Sequence, residues 1–471
     1  MSVPRVAIIG GGISGLTAVY RLQKLSHEKN QPLEVVLYES GSRTGGILET
    51  ERAEGYVLEK GPDSFITDKP WAIDLALELG LGGEIIPTHA AYRRSFIARG
   101  GKLLPVPGGF YLVAPVDAWK FLGSPIVSWP GKMRMMAEIF VPRRKETGDE
   151  SVASFVRRRF GREALDRVAQ PMIGGIYTGD PENLSLTATM PRFLELEKKY
   201  GSLLRGLRAE AGKKKTAASG PRYGLFVSFR GGMQALSEAL ERAVPPAWIR
   251  KNTAVRAVRR APQGGWTVET EAGESSAFDA ACLALPASLS AKILKNELPA
   301  AAEKLASISY ESVLTLNLAY RRDQIRHPLD GFGFVVPKTE KKTVIACSFS
   351  SRKFEGRAPE SHVLLRAFVG GVFGREDFEK TDAQILSSVE AELAGYLGIQ
   401  GKPGLTRLRR YPGAMVQYAL GHPGKVAAIR EALPAGLYLT GAAYDGIGLP
   451  DCVRSAGAAA AQIFDFGEKN R

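Results

Sequence analysis

Val6-Ala7-Ile8-Ile9-Gly10-Gly11-Gly12-Ile13-Ser14-Gly15 opens the chain with a short apolar run that breaks into glycine. From Leu16 to about Lys24 the pattern becomes helical, and Val35-Val36-Leu37-Tyr38 is a second apolar run closed by Glu39. The order is strand, glycine turn, helix, strand, acid. In a dinucleotide site Gly10 permits the sharp turn, Gly12 lets backbone approach a pyrophosphate, and Gly15 lets the helix pack on the strand. The helix N-terminus attracts the phosphate charge. Glu39 stands 24 residues after Gly15, where a carboxylate accepts hydrogen bonds from ribose hydroxyls.

Working outward, Ser40 to Thr50 is a glycine-broken loop. Its Arg43 is expected to face a phosphate, and Gly45 and Gly46 let backbone approach a flat ring. A strand pair over 49–59 leads to Gly61-Pro62-Asp63-Ser64-Phe65, where glycine and proline force a turn. Near the C-terminus, the strand Gly436 to Gly441 runs into Ala442-Ala443-Tyr444-Asp445-Gly446-Ile447-Gly448-Leu449-Pro450-Asp451-Cys452 and a small-residue helix over 453–464. This second glycine-rich turn feeds a second helix N-terminus.

The middle of the chain has a different character. A helix is expected over 69–81 and another over 151–170, the latter carrying Arg157-Arg158-Arg159, read as a solvated face. Gly174-Gly175-Ile176-Tyr177-Thr178-Gly179-Asp180 reads as a tight turn in a ligand wall, and Lys213-Lys214-Lys215 with the following Ala-Ala-Ser-Gly-Pro as an exposed loop. Between Gly108 and Met133 the aromatic residues Phe110, Tyr111, Trp119, Phe121 and Trp129 alternate with prolines and cations, which suits either a membrane interface or a helical core. Strands at 226–229, 254–259, 266–270 and 280–285, with a helix opened by Gly231 to Leu236 and ending near Val244, return the chain to the nucleotide unit. Strands at 313–320, 344–348 and 363–369 and a helix at 382–397 make a separate antiparallel sheet with a covering helix.

The 471 residues allow two or three domains, and 44% apolar with 24% charged content excludes wholesale disorder. Cys282, Cys347 and Cys452 are scattered, which argues against a disulfide framework or a structural zinc site. With the first strand beginning within a few residues of Met1 and no apolar run of about 18 residues, the reading is a cytoplasmic protein without a spanning helix. Of the net charge of +14, the span from Arg93 to Lys215 carries +11, with 23 Lys and Arg against 12 Asp and Glu. Such an excess favours an anionic partner. No nucleic-acid recognition module accompanies it, so a nucleic-acid partner is not expected.

The glycine turn, Glu39, the Arg43-x-Gly45-Gly46 loop, Gly61 to Ser64 and the segment from Gly441 to Asp451 resemble the FAD-binding elements of the monoamine oxidase and phytoene desaturase superfamily. Within it, Gly61-Pro62-Asp63-Ser64-Phe65, Gly175-Ile176-Tyr177-x-Gly179-Asp180 and Gly446 to Cys452 resemble the porphyrinogen oxidases of haem synthesis, closest to the soluble bacterial branch that acts on coproporphyrinogen III. The resemblance runs almost end to end and implies an α/β fold. A Rossmann-like FAD-binding domain would be assembled from the discontinuous segments 1–68, 222–288 and 404–471. A mixed α+β substrate domain would come from 69–98, 189–221 and 289–403, and a helical insertion from 99–188 that binds membrane in relatives.

The resemblance also implies roles. FAD would meet Gly10, Gly11, Gly12, Ile13, Ser14 and Gly15 at the pyrophosphate, Glu39 and Ser40 at the ribose, and Arg43, Gly45, Gly46, Ile47, Gly61, Pro62, Asp63 and Ser64 towards the flavin. Val255 would lie at the adenosine end, with Tyr411, Gly441, Ile447, Gly448 and Leu449 completing the site; Tyr411 stands where a tryptophan is expected. Lys69, Ile176 and Tyr177 would line the porphyrinogen cavity. No catalytic base is identified, because the flavin N5 accepts the hydride and molecular oxygen is the final acceptor, giving peroxide. Product hand-over to the next haem-pathway enzyme and peripheral membrane contact belong to the same expectation. Protoporphyrinogen IX as substrate, an amine oxidase or carotenoid desaturase, and a non-enzymatic nucleotide-binding escort are the competing readings.

Overall fold

The computed structural model describes residues 3–108, 110–111, 113–216 and 225–469. Five parallel strands form the central sheet, in the spatial order Ile249–Arg250, Glu34–Tyr38, Arg5–Ile9, Ala280–Leu283, Leu437–Leu439. The three middle strands are almost wholly buried because both faces are covered, which is why they read as continuous apolar runs. On one face the first helix, Ile13–Glu28, packs against the last, Leu449–Lys469, around Leu16, Val19, Val453 and Ala460. Alanines along the last helix allow that close approach. The other face is closed by Trp266, Val268, Leu294, Leu305 and Tyr418.

A second sheet of seven strands runs in the order Leu405–Val416, Tyr310–Arg321, His362–Gly370, Val344–Phe349, Gly333–Val335, Phe96–Arg99, Lys102–Pro105. It is antiparallel except where Gly333–Val335 pairs with Phe96–Arg99. Its covering helix, Asp382–Leu397, starts at a capping box made by Thr381 and Gln384 and stops at Gly398 with φ 64°. The expected helix, strands and antiparallel character are all present. The strand Leu405–Val416, expected with the nucleotide unit, forms the edge of this sheet.

The helical part has its own core, in which Phe121, Phe155, Phe160 and Ile173 meet Phe193, Leu196 and Leu204. The helices Pro191–Tyr200 and Leu203–Thr216, expected with the substrate sheet, therefore pack with the insertion. Three local expectations are corrected here. Gly174 to Tyr177 is the last turn of a helix, Gln170–Tyr177, that ends at Thr178 with φ 53°. Gly175 lies close to the second sheet, where a Cβ would stand 3.2 Å from Val335 Cγ1. Only Arg157 of the arginine run is solvated, where it pairs with Glu182: Arg159 is fully buried between Glu138 (3.1 Å) and Glu197 (2.6 Å), and Arg158 bridges Glu150 and Glu197. Finally, Lys213 to Lys215 continue a helix in backbone terms, while the Ala-Ala-Ser-Gly-Pro stretch lies outside the described residues.

Candidate functional site

The glycines of the opening turn have distinct tasks. Gly10 has φ 108°, and a Cβ on it would lie 2.6 Å from the Ala284 carbonyl oxygen; on Gly15 it would lie 1.8 Å from that of Gly10. Both are therefore needed to pack strand, turn and helix. Gly12 differs: its φ of −70° and ψ of −177° are open to any residue, and a Cβ there would meet nothing within 4 Å. The first helix begins beside that open space. Its first intrahelical bond runs from Leu16 N–H to the Gly12 carbonyl, and no side chain or first-turn acid caps the N–H groups before it. They are donors available to an anion.

Glu39 ends the second strand with its carboxylate turned back over the turn. Its Oε2 accepts from Gly11 N–H (2.8 Å) and its Oε1 from Gly41 N–H (2.7 Å). Oε1 also accepts from Ser40 Oγ at 3.4 Å, and Oε2 keeps a lone pair for a hydroxyl donor. Ser40 is exposed beside it, and the chain leading to Val255 is tied to the same corner by Thr253 N–H to the Glu39 carbonyl at 2.8 Å.

On the other side of Gly12, Gly45 donates to the Gly11 carbonyl at 2.8 Å, and Gly46, at φ 58°, approaches Gly12 so closely that a Cβ would be 3.2 Å from its Cα. Arg43, expected to face a phosphate, already has partners within the chain. Its guanidinium is spent on the carbonyls of Thr44, Leu48 and Gly46 and on Glu49, so that it shapes the loop. Ile47 is left 53% exposed at the edge of the open space. Gly61 is pressed on it, with a Cβ clash of 1.7 Å against the Ile47 carbonyl oxygen. Beyond Pro62, Lys353 donates to both Asp63 carboxylate oxygens (2.9 and 3.0 Å) and to Ser64 Oγ (2.9 Å). Burial alone would raise the Asp63 pKa, but Lys353 and then Arg366 hold it well below the usual carboxylate range.

The C-terminal turn meets the same place. A Cβ on Gly441 would be 3.8 Å from Ser14 Oγ, which places this turn beside the start of the first helix. Ile447 and Gly448 are half-buried and Leu449 begins the last helix. The loop is held by Tyr418, whose hydroxyl donates to the Ala442 carbonyl and accepts from Gly446 N–H, both at 2.7 Å. Tyr418 stacks on His422 at 4.1 Å. His422 is buried, and desolvation lowers its pKa to about 4. Tyr411 is half-buried, with the Arg409 guanidinium 5.8 Å from its ring centroid.

Lys69 and Tyr177 both bear on Asp451, a residue whose role the sequence reading missed. Lys69 Nζ pairs with Asp451 Oδ2 at 2.6 Å, the lysine about half exposed and the aspartate buried. Tyr177 donates to the Thr189 carbonyl at 2.9 Å, and its pKa is raised by burial and then by Asp451. Ile176 is 44% exposed. Asp451 sits in the first turn of the last helix, immediately after Leu449 and Pro450, so the pair ties Lys69 to the C-terminal turn. Lys353, Arg366 and Tyr418 were also missed; their contacts with Asp63, Gly61 and Gly446 span 290, 305 and 28 residues. Among the described residues, no group of three or more His, Cys, Asp or Glu could hold a metal ion, and no helix is long and apolar enough to cross a membrane.

A parallel sheet, an uncapped helix N-terminus over open space, an acid poised for hydroxyls and a second helix start converging on the same space define a flavin-dependent oxidoreductase. The family model for flavin-containing amine oxidoreductases matches residues 13–464, and the chain belongs to that family, with FAD as its cofactor. Among its relatives, the coproporphyrinogen III oxidase of Bacillus subtilis (strain 168) is 32% identical over 98% of both chains. That of Staphylococcus aureus (strain NCTC 8325 / PS 47) is 31% identical over 97% of this chain and 98% of its own. A solved structure from Exiguobacterium sp. 255-15, provisionally assigned as a protoporphyrinogen oxidase, superposes with a TM-score of 0.87 at 30% identity, covering 98% and 99% of the two chains.

Proposed function

We propose that the protein oxidises coproporphyrinogen III to coproporphyrin III with molecular oxygen as acceptor and peroxide as product, as a step of haem biosynthesis. The observation that carries this reading is the end-to-end similarity to bacterial coproporphyrinogen III oxidases. The N–H groups of Ile13, Ser14 and Gly15 over Gly12 would hold the pyrophosphate of FAD, Glu39 and Ser40 the ribose with Val255 beyond it, and Gly45, Gly46, Ile47, the Gly61–Ser64 loop, the Tyr411 ring and Gly441 to Leu449 the flavin. The residues fit: open space lies where the phosphates need it, and glycine stands wherever a side chain would close the cradle. Bound there, FAD supplies a two-electron acceptor for a hydride from a methylene bridge of the substrate.

The chain's own part is to bind, orient and exclude water. Lys69 offers its ammonium to a substrate carboxylate, in competition with Asp451. Ile176 covers the apolar body of the macrocycle, and Tyr177, tied to Thr189, keeps that wall in place. Each macrocycle loses six hydrogens in three rounds, each consuming one oxygen molecule and releasing one peroxide.

Aerobic assays of FAD-loaded protein with coproporphyrinogen III and protoporphyrinogen IX test the reading. A fluorescent porphyrin from the first, at the higher kcat/KM, is expected; a higher kcat/KM for the second would reverse the assignment, and no porphyrin from either would overturn it. Peripheral contact with a membrane is part of the same proposal. Trp119, Trp129, Met133 and Phe140 are 85%, 64%, 62% and 79% exposed on the basic helical part, with the Lys132 ammonium 4.4 Å from the Trp129 ring centroid. Sedimentation with anionic lipid vesicles that is lost in Trp119→Ser/Trp129→Ser supports it, and equal partitioning of both proteins refutes it. Hand-over of the product to the next haem-pathway enzyme is proposed on chemistry alone, since free porphyrin is poorly soluble.

A further inference from the structure

The loop from Glu59 to Ser64 rests on a buried group of charges that the proposed binding roles leave unused. Arg366, in the strand His362–Gly370, is 3% exposed and donates to the carbonyls of Lys60 (3.0 Å) and Gly61. From the neighbouring strand, Thr315 Oγ1 donates to the Lys60 carbonyl at 3.1 Å and Asn317 Nδ2 to that of Glu59 at 3.0 Å. The seven-stranded sheet thus grips the backbone that presses Gly61 onto Ile47.

The charges in this grip do not balance. Glu59 and Asp63 are the carboxylates; Lys353, Arg357 and Arg366 are the cations. Lys353 is paired with Asp63, and Arg357 lies 3.9 Å from Glu59. Among the described residues Arg366 has no ion pair, and its hydrogen bonds go to carbonyls. Burial pushes the Glu59 carboxyl up, against the pull of Arg357 and of the N–H of Met233, so that any neutralisation of Glu59 adds to the positive excess. The surrounding surface does not cancel it: Glu49 and Glu51 are already shared among Arg43, Lys60, Arg407 and Arg409. An uncompensated buried cation is costly unless a partner of opposite charge arrives.

We propose that Arg366 is a positioning residue which holds the Gly61 loop against the cofactor, and that the positive excess it gives this buried group favours the reduced, anionic state of the flavin. The inference rests on the flavin reading above. Oxidised flavin takes up two electrons and one proton to give the reduced anion, so a fixed positive charge behind the ring wall shifts that equilibrium towards reduction. In the test, xanthine and xanthine oxidase supply the electrons through a viologen mediator, and the potential of FAD-loaded protein is read against an indicator dye.

Arg366→Met is expected to shift the two-electron equilibrium at least tenfold towards the oxidised form, which is about 30 mV. Arg366→Lys, which keeps the charge and loses the fork, is expected to stay within about threefold of the parent while binding FAD less tightly. Asp63→Asn removes a negative charge from the same group and is expected to shift the equilibrium the other way; it carries the test if Arg366→Met does not accumulate as folded protein. A purely structural Arg366 would leave the potentials of FAD-loaded proteins equal, and that result overturns the inference. Failure of the parent protein to take up FAD overturns the flavin reading itself.

Discussion

Replacing Gly12 by valine separates the fold from the ligand. Because Gly12 has an extended, unrestricted backbone and open space around its missing Cβ, the substitution leaves the ligand-free protein nearly intact. The expected loss is at most about 1 kcal/mol, from a poorer residue at the helix N-cap. With FAD bound, the same space is filled, and forcing extra carbons into a packed site costs about 1–3 kcal/mol, or about 5- to 150-fold in affinity. The consequence can be read as linkage. FAD at a hundred times its dissociation constant stabilises the parent by about 2.7 kcal/mol; after a hundredfold loss of affinity the same concentration gives only about 0.4 kcal/mol. Thermal unfolding with and without added FAD, together with the flavin absorbance of protein as purified, measures both quantities. Gly15→Ala is the contrasting control, since its Cβ would sit 1.8 Å from the Gly10 carbonyl oxygen and the fold itself would suffer. Normal flavin occupancy in Gly12→Val, or a ligand-free form as unstable as Gly15→Ala, would refute the placement of the phosphates.

Lys69→Met is expected to raise KM for coproporphyrinogen roughly tenfold with a smaller change in kcat, because a charge-assisted hydrogen bond of about 1.5 kcal/mol or more is lost; steady-state kinetics at low salt decides it. Asp63 has a folded-state pKa below its unfolded value, so its stabilisation is complete above about pH 4 and is lost as pH falls below that. Asp63→Asn should therefore melt lower than the parent at neutral pH, by about 3 kcal/mol for one broken partner of a buried pair, with the gap closing in acid. His422, a base depressed to about 4, acts through the unfolded state: below about pH 6.5 the unfolded chain takes up a proton that the fold refuses, and stability falls until about pH 4. His422→Phe, which keeps a ring on Tyr418, should flatten the melting profile across that window.

The dinucleotide half of the site was legible because its parts lie within one strand, turn, helix and strand, a contiguous order with glycine at each bend. The second sheet was legible from its apolar runs at 313–320, 344–348 and 363–369, of which the first and last are buried almost throughout their length. What the sequence concealed was long-range. Gly174 and Gly175 suggested a turn, yet Gly175 lies close to Val335, 160 residues away. Arg159 was read as solvated because its partners Glu138 and Glu197 lie on other elements. Arg43 was assigned to a phosphate by its place in a glycine loop, but backbone carbonyls exposed by that same loop claim it first. Asp451 and Lys69, 382 residues apart, have no local pattern that joins them.

The parallel sheet that carries the cradle has a strand from residues 5–9 next to one from 280–283 and, at its edge, one from 437–439, with the helix 449–469 lying on the first helix. During synthesis on the ribosome the opening motif therefore emerges long before its neighbours and waits, partly uncovered, for almost the whole chain. The cradle is complete only when the last strand and helix have been made, so a chain that ends between residues 40 and 436 carries the opening motif without the turn at 441–449 that meets it.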